Sequence, residues 1–260
     1  MISQLQMAGM LTQLLISLLF PIIILIYLIR KKTFSWKSLG IGVVIFIVFS
    51  QILEKFLHIA VLSPTGTSLK WTDSTAAFVA YGALAAGVFE EIGRYFGFKV
   101  MLKRNREYKD GLSLGLGHGG IEAILIGVLG GLNALLIANL INTGMLDQSM
   151  GAAIPADQLA LIKDQFTNTP FSLYVVGGLE RVFAILIHIA LSLVVLFAVR
   201  ENKFKFVLLA IGLHALFDVA PAMHQAKAIE NIWVIEAIIA LFGIAALAFI
   251  IKAKKLFQNS

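Results

Sequence analysis

The chain has 260 residues, 59% of them hydrophobic and only 14% charged, with a mean hydropathy of +0.89. Soluble domains carry nearer a quarter charged residues and could not cover their surface with so few, so a soluble fold is excluded and the bilayer is the expected solvent. The absence of cysteine excludes disulfides, thiolate metal sites and cysteine catalysis. The net charge of +6 is no nucleic-acid signal, because the charges sit at the ends of apolar runs.

A helix needs about 20 apolar residues to cross the hydrocarbon core. Seven such runs follow one another: Met7–Ile29, Leu39–Ala60, Ser74–Val100, Leu112–Ile141, Phe171–Val199, Phe206–Met223 and Ile232–Ile251. The first is too long for the core of a signal peptide and has no basic residue before it, so it reads as a span. Charge or turn residues separate the runs, among them Arg30-Lys31-Lys32, Ser63-Pro64-Thr65-Gly66 and Lys103-Arg104-Asn105-Arg106. The expected fold is all-α: a polytopic transmembrane helical bundle of about seven spans, forming one integral membrane domain over residues 1–260.

Lys and Arg alternate between the two sides. The loops after spans one, three, five and seven hold fifteen of them, the opposite loops only Lys70, Lys163 and Lys227. The positive-inside rule then places the N-terminus outside and the C-terminus in the cytoplasm of a multi-pass cell-membrane protein. The longest stretch between spans, about 142–170, falls on the outer side. It carries Asp147, Asp157 and Asp164 around an apolar patch at Leu159–Ile162, as a short amphipathic helix would. The partners this implies are membrane lipid and membrane-embedded or membrane-proximal substrates, with no nucleic acid.

Ionisable residues inside spans are costly, about 2.5–3.5 kcal/mol each on insertion scales, and each is a functional candidate by default. Span three carries Glu90, Glu91 and Arg94; span four His118 and Glu122; span five Glu180, Arg181 and His188; span six His214 and Asp218. Counted from the basic end at ~1.5 Å per residue, Glu91, His118, Glu122, His188, His214 and Asp218 all fall at roughly 10–20 Å depth, so four helices place carboxylates and imidazoles in one layer. Glu180 and Arg181 fall at about 28–30 Å, towards the other face.

His118 and Glu122 stand at i and i+4 and so share a helical face, as do His214 and Asp218. Such a pair can close two positions on one divalent ion, and imidazole with carboxylate and no thiolate suits zinc best among common biological ions. Zinc with an open position lowers the pKa of bound water to about 7, and an unliganded carboxylate nearby can serve as general base. Glu90-Glu91 supplies it. Plainer readings exist for each group taken alone. Glu90 and Arg94 can pair at i,i+4, but that leaves Glu91 in hydrocarbon. The two histidine–carboxylate pairs and His188 can serve packing between helices, Glu180-Arg181 can form an internal ion pair, and Glu54-Lys55 with His58 can anchor the interface. The shared layer is what the separate readings do not explain.

Glu90-Glu91-Ile92-Gly93-Arg94 resembles the double-glutamate motif of the CPBP (CAAX protease and bacteriocin-processing) and PrsW-type intramembrane metalloproteases. The set departs in two places: Phe183 stands five residues before His188 rather than four, and Arg94 comes one residue earlier than CPBP members usually have it. His214-Ala215-Leu216-Phe217-Asp218 is similar to their third motif. The likeness is closest to the YhfC family, in which Glu-Glu-x-Gly-Arg is followed by a segment like His118-Gly119-Gly120-Ile121-Glu122 and by a pair like Glu180-Arg181. The resemblance implies a buried zinc site hydrolysing peptide bonds in or near the membrane. His118, His188 and His214 would be ligands and Glu122 or Asp218 would complete the shell. Glu90 and Glu91 would activate water, oriented by Arg94. The expected function is accordingly a zinc-dependent intramembrane endopeptidase. The rival readings are a proton- or metal-coupled transporter built on the same layer, and a metal-binding membrane scaffold without turnover.

Overall fold

The computed structural model describes residues 1–258. Most of them are helical, and seven helices are long and apolar enough to cross a membrane. In chain order the helices are α1 (Gln4–Arg30), α2 (Trp36–Val61), α3 (Thr75–Met101), α4 (Tyr108–Asn142), α5 (Leu146–Met150), α6 (Ala156–Asn168), α7 (Phe171–Arg200), α8 (Lys205–Gln225) and α9 (Ile232–Phe257). The short α5 and α6 occupy the stretch expected to hold an amphipathic helix, and Leu159 is its buried anchor. The remaining seven are the expected spans, and the chain is a multi-pass integral membrane protein.

Local chemistry sets the helix starts. Ser35 accepts the amide of Ser38 at the head of α2, Ser74 that of Ala77 at the head of α3, and Asn231 that of Trp233 at the head of α9, each satisfying an amide the helix cannot. At the head of α4 the buried Asp110 carboxylate accepts from the Glu107 amide at 3.0 Å and from the Ser38 hydroxyl at 2.6 Å. Three spans contain π-helical turns: Phe46–Glu54 in α2, Gly97–Met101 in α3 and Ile124–Val128 in α4. Such turns widen the backbone and concentrate at functional sites.

The chain separates into two compact units, one of Met1–Ile22 with Glu122–Val182, the other of Ile23–Ile121 with Phe183 onward. The first unit packs around Ile2, Met10 and Ala138, and around Ile137, Leu146 and Leu159. The second is centred on Ile45, Phe98, Leu114, Leu191, Val195 and Leu196, with Phe217 and Ile239. The most enclosed helix is α7: 72% of its most apolar stretch is buried, against 22–39% in the other spans.

Glycine sets how closely helices approach in the second unit. A Cβ on Gly42 would run into the Leu114 carbonyl, and one on Gly117 into the Leu39 carbonyl, so α2 and α4 touch backbone to backbone. A Cβ on Gly119 would stand 3.1 Å from His188 Cβ, and one on Gly87 2.9 Å from the Ile211 carbonyl. Small residues let membrane helices meet at such distances, and here they carry α7 to α4 and α8 to α3 beside their histidines.

Candidate metal centre

Four helices of the second unit converge on one polar cluster. Glu90, Glu91 and Arg94 come from α3, His118 from α4, His188 from α7, and His214 with Asp218 from α8. Glu91, Arg94 and His118 are wholly buried, and His214, His188 and Glu90 nearly so. Depth counting could place these groups in one layer; the structure shows that they meet.

Glu90 Oε2 is the hub. It lies 2.8 Å from His118 Nε2, 3.3 Å from Arg94 Nη2, 3.7 Å from His188 Nδ1 and 3.8 Å from His214 Nε2. Glu91 points elsewhere: its Oε1 accepts from Arg94 Nη1 and lies 2.7 Å from His214 Nδ1. Arg94 thus spans both glutamates, and its Nη2 lies 2.6 Å from His188 Nδ1. His214 bridges Glu91 on one side and Asp218 Oδ2, at 3.4 Å, on the other. The imidazoles pack on one another, with ring centroids 4.9 Å apart for His118–His188 and 5.7 Å for His188–His214. Phe46, from the π-helical turn of α2, closes edge-on against His118.

Among the described residues, Glu90, His118 and His188 form a group that could hold a metal ion, with ligand atoms all within 4.8 Å of one another. Donor atoms on a tetrahedral ion at about 2.0–2.1 Å stand about 3.3–3.4 Å apart, so small side-chain shifts close such a shell. Three buried atoms of the cluster, His118 Nδ1, Glu91 Oε2 and Arg94 Nε, have no hydrogen-bond partner among the described residues. Buried polar atoms are normally satisfied, so the cluster holds more donor and acceptor capacity than the chain itself uses.

The other sequence-derived candidates lie as follows. Glu122 Oε1 accepts from Arg181 Nη1 at 2.9 Å, and Arg181 Nη2 also pairs with Glu180. All three belong to the first unit, and the pairing of Glu180 with Arg181 is the internal ion pair that the plainer reading expected. The i,i+4 spacing of His118 and Glu122 does not show this arrangement, because the cation that takes Glu122 comes from α7. His58, expected as an interfacial anchor, links Tyr81 (Nδ1 to the hydroxyl, 2.7 Å) and the buried Glu54 (Nε2 to Oε1, 3.3 Å). Tyr81 carried no signal in the sequence; a lone tyrosine in an apolar run is indistinguishable from packing.

Fold and site together define a multi-pass membrane protein with a buried imidazole–carboxylate centre suited to a metal. The chain belongs to the YhfC family: the family described as YhfC intramembrane metalloprotease matches residues 16–239. It is 38% identical over 243 residues, 94% of each chain, to the uncharacterized membrane protein YhfC of Bacillus subtilis (strain 168). No solved structure matches it.

Proposed function

We propose that this protein is a zinc-dependent intramembrane endopeptidase acting on peptide bonds in or next to the bilayer. The observation that carries the reading is the buried Glu90–His118–His188 group with a second carboxylate, Glu91, beside it. Two imidazoles, one carboxylate and no thiolate suit zinc, and three protein ligands are the number that leaves a position open in catalytic zinc sites. When bound, zinc supplies Lewis-acid polarisation of the scissile carbonyl and makes water a nucleophile near neutral pH.

In this reading Glu90, His118 and His188 hold the ion, so Glu90 serves as a ligand and Glu91 as the base. Glu91 Oε2 takes a proton from the attacking water and returns it to the leaving amine. Arg94 fixes both glutamates through Nη1 and Nη2. His214, held between Glu91 and Asp218, carries protons outward from the wholly buried Glu91 to Asp218, whose side chain is 23% exposed. By the positive-inside rule the site lies in the cytoplasmic half of the bilayer.

The test is metal content by mass spectrometry of detergent-purified protein, alongside cleavage of a transmembrane peptide in proteoliposomes. Near one zinc per chain, lost in Glu90→Gln, His118→Ala and His188→Ala together with cleavage, is expected. Protein that binds no metal after reconstitution would sink the proposal and send the same histidines to proton-flux assays.

A further inference from the structure

Away from the metal centre, the second unit has an open groove of about 700 Å³ lined by Lys32, Arg104, Arg106, Lys109, Arg200 and Lys254. Arg200 has interactions of its own, and among the described residues lining the groove the acid is Glu107, paired with Lys109 at 2.9 Å, so the other cations outnumber it. The cations follow α1, precede and open α4, and end α7 and α9, so they gather at one end of the spans, the level of the lipid headgroups. Topogenic charge alone needs only to lie near that interface; it does not need to line a hollow of the size that ordinarily holds a ligand.

Two details show that the groove is built. Arg200 is held over the Phe257 ring, 5.2 Å from its centroid, and Phe257 in turn meets the Tyr108 ring at 5.7 Å. Arg106 gives one Nη2 bond to the Lys99 carbonyl, while its buried Nε has no acceptor among the described residues. That is a donor for which the chain supplies no oxygen.

We propose that this groove binds the phosphate of an anionic phospholipid headgroup from the same leaflet. Phosphate oxygens match both the excess charge and the guanidinium donors. The lipid source is favoured over free phosphate by the flanks. Exposed Tyr27 and Ile29 precede Lys32, and exposed Ile251 and Leu256 bracket Lys254, which gives an acyl chain apolar surface beside the charged hollow.

The experiment is native mass spectrometry of the full chain released from detergent with phosphatidylglycerol, phosphatidylcholine or inorganic phosphate. Phosphatidylglycerol should be retained preferentially, and R104Q/R106Q should weaken it by about 25-fold, at roughly fivefold per charge near a membrane surface. K32Q/K254Q, two exposed positions whose loss leaves packing intact, should weaken it similarly and decides the matter if the arginine variant fails to fold. Equal retention of phosphatidylcholine, or unchanged affinity in the charge variants, overturns the site. Inorganic phosphate competing as strongly as phosphatidylglycerol overturns the lipid as its occupant.

Discussion

Among the described residues, two groups of two carboxylates and one arginine lie within the spans, one half-buried and one buried, and they differ in what surrounds them. In the first unit Arg181 answers Glu122 and Glu180. In the second, Arg94 answers Glu90 and Glu91, but three imidazoles crowd the same oxygens. The first is an ion cluster that seats helices. The second adds imidazoles to its carboxylates, the donor set that suits a divalent ion such as zinc. Charge inside a membrane therefore marks a candidate region, and imidazoles gathered on that charge mark the candidate site.

Three substitutions can break that contrast. The largest effect is expected from Glu91→Gln, which should lower peptide turnover by about 10²–10⁴-fold while zinc content stays near one per chain, since it removes a proton acceptor and no ligand. Loss of zinc in this variant would exchange the roles of the two glutamates. Next, Arg181→Met should cost about 3–5 kcal/mol of stability by stranding two carboxylates, read as denaturation in detergent, with metal content unchanged. Adding Glu122→Gln and Glu180→Gln should restore most of it; failure to do so would mean that the cluster does more than seat helices. Smallest, Asp218→Asn should cut kcat/KM by about 10–100-fold with zinc retained, the size expected when a group that orients a site histidine is lost. An unchanged kcat/KM would remove Asp218 from the proposed proton route.

Much of this was legible before any coordinates. Continuous apolar runs fix the spans because the bilayer demands them, and counting residues from the charged ends put Glu91, His118, Glu122, His188, His214 and Asp218 in one layer, Glu122 included although Arg181 takes it. What the chain does not spell out is azimuth. Glu90 and Glu91 are neighbours in sequence, yet about 100° of helix rotation sends one to three imidazoles and the other to His214 and Arg94. Glu122 shares its expected face with His118, and only the packing of α7 discloses that Arg181 takes it. The lysines and arginines near the ends of α1, α7 and α9 were readable as a topology signal; that they line one groove depends on where four chain segments end in space.

The Arg94 contacts have a consequence for biogenesis. α3 reaches the membrane ahead of the segments that carry His118, His188 and His214, and its most apolar stretch has a mean hydropathy of 1.3, the lowest of the seven spans. Two bare carboxylates at mid-helix would add several kcal/mol to its partition into lipid. Arg94, three and four residues further on, can cover both from within the same helix, so the segment travels with its own counter-ion until the imidazoles arrive. A chain lacking that guanidinium would meet its first difficulty at the translocon, well before there is a folded protein to assay.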